Sequence, residues 1–377
     1  MTLVGLHLGN PGLLDAKAEA LATVAMGLII SAMLVDAASA LPWKKAATEV
    51  VAEAAAPTMT LTTAACGAVA LVAAAVLFLP SRAAPKWLAG ATPGASAHVL
   101  VTGGSEGLGK ELAALMASRG AKVSIVARTA KKLDAAVAEL AERKLSVRAV
   151  AGDVTSAESL TRAVTDAEAA HGPVTCVVCC AGGARTGLFS DVSADDFAKQ
   201  MDLNYLGVVK TLKATLPGMV DRKAGTAVLV SSGLALCGYA GYSAYAPTKW
   251  AVRGLAETLR SELLPFDVAV HSVYPPNMDT PGFVEENRTK PKSTKAIEEG
   301  EPTHDPKAVA ASIVASLDAG HFNVACGDFG IGLLARAANG LSVRTTLLLD
   351  VVALPVIAVI GCVYRRMWDR IVRATPN

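Results

Sequence analysis

Charge is scarce in this 377-residue chain, where Asp, Glu, Lys and Arg make up 18% of the residues; an average globular protein carries about 25%. The signs nearly cancel, 35 Lys and Arg against 33 Asp and Glu, so nothing calls for a polyanionic partner and nucleic acid is excluded as the expected ligand. Low charge with 52% hydrophobic residues also excludes a disordered chain and a coiled coil. Aromatic residues are only 5%, whereas glycines number 32, the balance of an Ala/Val/Gly-rich α/β protein with tight turns. Internal repeats and low-complexity linkers are absent. Cysteines number seven, three of them crowded at 176, 179 and 180. A strand alternates its side chains, and no second Cys/His pair stands at ligand spacing, so no metal site is expected. These thiols read as small buried hydrophobes in a reducing compartment.

The apolar excess is concentrated at the two ends. Residues 54–81 hold no charge, and 61–79 is almost continuously Ala, Val, Leu, Thr and Gly, enough to cross about 30 Å of hydrocarbon as a helix. A shorter stretch at 20–35 reads as a second membrane segment or a targeting element; Lys17 against Asp15 and Glu19 is the wrong charge for a secretory leader. Near the other end, 345–364 contains one charge, Asp350, and Pro355, and is closed by Arg365 and Arg366. A lone carboxylate in a span is costly, so a re-entrant or interfacial helix competes with a crossing. The chain therefore divides into a membrane or targeting region at 1–90, a catalytic domain at 97–327 and a membrane-associated region at 328–377.

Between the ends the sequence alternates two periods. Apolar runs at 98–101, 122–127, 146–150, 174–180, 226–231 and 268–274 read as buried parallel strands, and amphipathic stretches near 108–119, 130–143, 156–171, 193–221, 243–264 and 305–317 read as helices. Such alternation builds a Rossmann-type doubly wound parallel sheet with helices on both faces. Residues 276–303 carry four prolines and no clear period, and are expected to form a functional loop.

The first strand runs into Thr102-Gly103-Gly104-Ser105-Glu106-Gly107-Leu108-Gly109. Glycines at 103, 107 and 109 let the backbone turn tightly and approach a pyrophosphate at a helix N-terminus. The second strand ends in Ala127-Arg128, where an acidic residue would hold the ribose diol of NAD; a cation there, with Lys132 one turn later, suits the 2′-phosphate of NADPH. Asp153 after the third strand is placed to bind the adenine amino group. Tyr245 and Lys249, four apart, share one helical face, with Ser231-Ser232 upstream at a strand end. A neighbouring ammonium lowers a phenol's pKa, so Tyr245 can protonate a carbonyl oxygen while Ser232 hydrogen-bonds the same atom. Ser231 is the alternative for that serine role. Asn204 is placed to hold a water that relays protons to Lys249.

The combination of TGGSEGLG, Asp153-Val154, Cys179-Cys180-Ala181-Gly182-Gly183, Asn204, Ser232 and Tyr245-Ala246-Pro247-Thr248-Lys249 resembles the short-chain dehydrogenase/reductase family over roughly 97–275. Cys180, where that family usually has Asn, and Pro247 inside the YxxxK turn are departures. A narrower similarity, carried by Tyr274-Pro275-Pro276-Asn277-Met278-Asp279-Thr280-Pro281-Gly282-Phe283 and Lys249-Trp250-Ala251-Val252-Arg253-Gly254, is to the membrane-bound 3-ketodihydrosphingosine reductases. The resemblance implies a catalytic set of Asn204, Ser232, Tyr245 and Lys249. It implies NADPH contacts at Gly103, Ser105, Glu106, Gly107, Gly109, Arg128, Lys132 and Asp153, joined by Tyr245 and Lys249. The expected reaction is NADPH-dependent reduction of 3-oxosphinganine, a long-chain keto-amine lipid, to sphinganine. The rivals are a retinal or steroid ketone reductase of the same family and a catalytically silent membrane scaffold. Arg82 and Lys86 follow the 61–79 stretch while Glu49 and Glu53 precede it, which orients the catalytic domain toward the cytosol of an endoplasmic reticulum membrane. The fold leaves room for a homo-oligomer.

Overall fold

The computed structural model describes residues 86–90, 94–338 and 347–375, all within one compact unit, Arg82–Asn377. The expected N-terminal membrane region, including the 20–35 and 61–79 stretches, lies outside the described residues.

Short runs of Val, Ile, Leu, Ala and Cys bounded by turns form the strands β1 (His98–Thr102), β2 (Lys122–Ala127), β3 (Val147–Ala151), β4 (Cys176–Cys179), β5 (Gly225–Val230), β6 (Val268–Val273) and β7 (Asn323–Val324). All pair in parallel in the order β3-β2-β1-β4-β5-β6-β7. The helices between them are α1 (Gly107–Ser118), α2 (Ala130–Glu142), α3 (Ala157–His171), α4 (Ala194–Met201), α5 (Gly207–Arg222), α6 (Ala246–Leu263), α7 (Pro281–Arg288), α8 (Lys292–Ile297) and α9 (Pro306–Asp318), followed by α10 (Phe329–Ala337) and α11 (Leu347–Ala374). Small polar residues start several of them: Ser156 accepts from the Ser159 N–H, Ser193 from Asp196, and Asp328 from Ile331, each supplying one orphan donor with a partner.

Alternation along the strands sorts the core into two layers. Val99, Val101, Cys176 and Val178 pack with Leu112 and Met116 of α1 and Ile313 and Val314 of α9 on one face. Leu100, Val177 and Cys179 pack with Leu212 of α5 and Val252 and Ala256 of α6 on the other. A fully buried Leu or Ile contributes about 1.5–3 kcal/mol, so both faces are needed to hold a sheet with no wet side. The same alternation sends Cys176 and Cys179 to opposite faces.

Two expectations change. The stretch 193–221 is not one helix: Asp202–Leu206 forms a wide π turn between α4 and α5. An extra residue in a helical turn leaves the apolar period nearly intact, so the pattern hides it. Residues 276–303 are not a plain loop, because α7 and α8 lie within them; Thr280 accepts from the Phe283 N–H and Pro281 opens the first turn of α7. Among the described residues no helix is long and apolar enough to cross a membrane. The helix α11 contains Asp350 and runs on through Arg365, Arg366, Asp369, Arg370 and Arg373. Its Trp368 stacks on Tyr239 with ring centroids 5.2 Å apart, and Arg365 donates to the Gly238 carbonyl at 3.0 Å.

Candidate active site

The sheet order reverses between β1 and β4, and the chain leaves both strands there at their C-terminal ends, which makes a crevice. Thr102, the last residue of β1, accepts from the Cys180 and Ala181 N–H groups at 3.2 and 3.3 Å. Gly103 follows with φ +70°, its N–H on the Val126 carbonyl at 2.8 Å. A Cβ on Gly103 would stand 2.8 Å from Ala181 Cα, and one on Gly109 would stand 2.3 Å from the Gly103 carbonyl oxygen. Glycine is therefore obligatory at both positions. The turn delivers the chain to the N-terminus of α1, where Glu106 occupies the cap position but makes no capping hydrogen bond and the first turn holds no acidic residue. The open N–H groups and positive dipole end of α1 suit a phosphate.

Ser105 and Gly107 lie in this turn, partly exposed. Glu106 and Lys132 form an ion pair with each other at 2.7 Å, so Lys132 is not a bare cation. Arg128 is exposed at the end of β2. Asp153 follows β3, and burial acts to raise its pKa. The hydrogen bonds it accepts from the Thr155 N–H and hydroxyl, at 2.9 and 2.8 Å, outweigh burial, and the charges of Arg128 and Lys210 add to them, so its pKa lies below the ordinary value. The glycine turn, Arg128 and Asp153 thus fall along one edge of the sheet. They fit a dinucleotide laid across it, with the pyrophosphate on α1 and the adenosine end over β2 and β3.

At the other side of the crevice the end of β5 meets the start of α6. The two serines divide their work as adjacent strand residues must. Ser231 faces inward and donates to the Lys249 carbonyl at 2.7 Å. Ser232 faces the crevice beside the Tyr245 phenol, whose pKa it lowers, and its hydroxyl accepts from the Leu234 N–H. This settles the orientation that sequence alone leaves open. Lys249 lies one turn below Tyr245, its ammonium 5.7 Å from the phenol ring centre and 3.1 Å from the Val230 carbonyl. Burial pushes the Lys249 pKa down to about 8.

The Tyr245 phenol is not pulled down by this neighbour. Burial raises its pKa, the Glu286 carboxylate raises it further, and the Ser232 hydrogen bond lowers it only in part. Lys249 is not among the groups that act on the phenol, and the Glu286 carboxylate on α7 opposes its ionisation. Asn204, fully buried in the π turn, accepts from the Gly183 N–H at 3.0 Å and donates to the Gly183 carbonyl at 3.0 Å and to Thr248 at 3.2 Å. The side-chain amide thus pins the turn after β4. Cys180, at the departure from the family pattern, is a half-buried neutral thiol with its pKa raised to about 11 by desolvation.

Two groups near the crevice escaped the sequence reading. Thr280 stands across from the glycine turn, its methyl 3.1 Å from where a Cβ on Gly107 would sit; a Thr followed by Pro was the available signal for a helix start facing the site. The second is a buried charged cluster on α7 and α8. The Lys290 ammonium, 1% exposed, lies 2.7 Å from Glu298 and 3.1 Å from Glu286, and Tyr242 and Tyr239 hydrogen-bond these carboxylates. Nothing in the local pattern distinguishes these residues from solvated charges.

The short chain dehydrogenase family model matches residues 97–291. A 3-dehydrosphinganine reductase of Danio rerio is 38% identical over 288 residues, covering 74% of this chain and 86% of the relative. A 3-ketodihydrosphingosine reductase of Bos taurus is 38% identical over 297 residues, covering 77% and 88%. Among solved structures, an actinorhodin polyketide ketoreductase with NADPH superposes with a TM-score of 0.55 at 25% identity, over 59% of this chain and 90% of that one. A family match over 97–291 and relatives covered for more than four-fifths of their length agree: this chain belongs to the short-chain dehydrogenase family of nicotinamide-dependent oxidoreductases, and groups there with the 3-ketodihydrosphingosine reductases.

Proposed function

We propose that this protein reduces the ketone of 3-oxosphinganine to the alcohol of sphinganine with NADPH, in sphingoid lipid synthesis. The observation that carries this reading is the grouping of Ser232, Tyr245 and Lys249, the ammonium 5.7 Å from the phenol ring centre, at the C-terminal edge of the sheet that also carries the glycine turn. The relatives named for this reaction supply the substrate.

The nicotinamide cofactor supplies the hydride. Every other task falls to the chain. The α1 N-terminus and the turn Gly103–Gly109 hold the pyrophosphate, and Arg128 faces the 2′-phosphate, which favours NADPH over NADH. Lys249 holds ribose hydroxyls through its ammonium. Asn204 fixes the Gly182–Gly183 backbone on which the nicotinamide half rests; a Cβ on Gly182 would stand 2.9 Å from Asn204 Oδ1 and 3.4 Å from Lys249 Nζ. Ser232 donates to the ketone oxygen and Tyr245 gives it a proton. A raised phenol pKa suits this direction, because the group stays protonated at neutral pH and acts as an acid.

The same proposal places the protein in the endoplasmic reticulum membrane through its N-terminal apolar region. The catalytic domain then faces the cytosol, where NADPH and reduced thiols are supplied. Protease treatment of sealed microsomes tests the orientation: a core domain protected until detergent is added would place it in the lumen. For the reaction, membranes expressing the protein are incubated with NADPH and a panel of 3-oxosphinganine, retinal and steroid ketones. Turnover confined to the retinoid or steroid would overturn the substrate assignment.

A further inference from the structure

A carboxylate that binds the substrate's amino group must sit beside the group that protonates its ketone. In a 2-amino-3-ketone the nitrogen and the carbonyl are on adjacent carbons. Glu286 meets this requirement: it is the one carboxylate among the groups that act on the Tyr245 phenol, and it reaches the site past Tyr242. The Tyr242 hydroxyl donates to Glu286 Oε1, and the Tyr242 ring lies 6.0 Å, centre to centre, from the Tyr245 ring.

The surroundings of Glu286 already hold an alkylammonium. Lys290 is caged by Glu286 and Glu298 and by the Phe283 ring, 4.2 Å from its nitrogen, and the Tyr242 ring, 5.8 Å away. Carboxylates and aromatic faces are the two partners an ammonium takes on leaving water. The cage is also short of positive charge. Two carboxylates face one ammonium, and Glu301, held above its ordinary pKa by burial and by Glu298, adds acidity nearby. Among the described residues, Glu286 Oε2 accepts no hydrogen bond, whereas Oε1 is held by Tyr242 and Lys290. Lys290 also borders a surface cavity of ≈ 320 Å³ lined by Arg185, Thr186 and Thr289.

We propose that Glu286 binds the ammonium of the keto-amine substrate and is the residue that makes this reductase prefer an amino-ketone to a neutral lipid ketone. The proposal rests on the reading of 3-oxosphinganine as substrate. It carries a second consequence for the proton donor. A bound ammonium screens the Glu286 charge that opposes Tyr245 ionisation, so the right substrate makes its own acid stronger.

The test compares 3-oxosphinganine with its 2-desamino analogue, in detergent-solubilised full-length protein with NADPH. Wild type is expected to favour the amino-ketone in kcat/KM. Glu286→Gln is expected to lower the ratio of kcat/KM for the amino-ketone over the desamino substrate roughly 10- to 100-fold, the range for a hydrogen bond to a charged group, because the change at Tyr245 acts on both substrates and cancels in the ratio. Glu286→Asp keeps the charge and is expected to retain a preference for the amine at a raised KM. Equal losses on both substrates, with Glu286→Asp behaving like Glu286→Gln, would mean a structural role and overturn the proposal, as would no loss on either. A wild type that reduces neither substrate would instead refute the assigned reaction.

Discussion

Replacing Lys249 should make the protein more stable and inactive at the same time. The ammonium is 5% exposed, and among the described residues it donates only to the Val230 carbonyl. Burial brings its pKa from 10.5 to about 8, a difference of about 2.5 units, which corresponds to about 3 kcal/mol against the charged form. The unfolded chain carries no such penalty. Below pH 8 both states hold the proton and the folded state bears the full cost. Between pH 8 and 10.5 the unfolded state binds more protons than the folded one, so stability rises with pH across that window. Lys249→Met removes the charge and keeps an unbranched apolar stem. It should raise stability at pH 7 by about 3 kcal/mol, and the advantage should shrink as pH climbs from 8 to 10. Denaturant melts of both proteins at pH 7 and pH 10 measure this, and an NADPH oxidation assay follows the lost turnover. A variant no more stable than wild type at pH 7, or one whose advantage does not change with pH, would refute the argument that this lysine is held charged at a cost for its chemistry.

Three further outcomes are expected. Tyr245→Phe should lower kcat by roughly 10²- to 10⁴-fold through loss of the proton donor, with NADPH affinity by fluorescence titration nearly unchanged; near-normal turnover would remove Tyr245 from the mechanism. Arg128→Ala should raise the KM for NADPH about 30- to 100-fold, equivalent to about 2–3 kcal/mol, and leave NADH use as it was. His98 is buried with its ring nitrogens on the Gly172 carbonyl and the Ser124 hydroxyl, and burial depresses its pKa from 6.5 to about 4. Its neutral form is the one the fold holds, so stability is full above pH 6.5 and falls by up to about 3 kcal/mol as pH drops toward 4; thermal melts from pH 7 to 4 should show a shallower decline for His98→Asn.

The sheet was readable because parallel strands buried on both faces become unbroken apolar runs, and each of β1 to β6 lies within a residue or two of its run. The two-residue β7 is too short to carry a period, and it is held by its neighbour: the Ser272 and Tyr274 N–H groups donate to Phe322 and Val324 carbonyls. Tyr245 and Lys249 could be paired from spacing, since four residues is one helical turn. Their electrostatics could not, because the phenol's pKa is governed by burial and by Glu286, 41 positions away on an element that showed no periodicity. The Glu106–Lys132 pair was invisible for a similar reason. Both were legible as charges near a phosphate site, and only the fold shows that they answer each other.

Lys249 is gripped twice, by the last residue of β5 and the one after it: Ser231 holds its backbone carbonyl and the Val230 carbonyl holds its ammonium. The start of α6 therefore has no freedom to slide or roll along the strand, since any shift that frees one end strains the other. Tyr245 and Ser232 ride on these two elements and inherit that rigidity. This half of the crevice behaves as an anvil. The opposite wall, α7 and α8, is joined to the anvil through the tyrosine–carboxylate contacts of Tyr239 and Tyr242 and through the Thr294 hydroxyl on the Ala240 carbonyl. Those contacts are polar, and through them the charged cluster around Lys290 is coupled to the rigid half of the crevice.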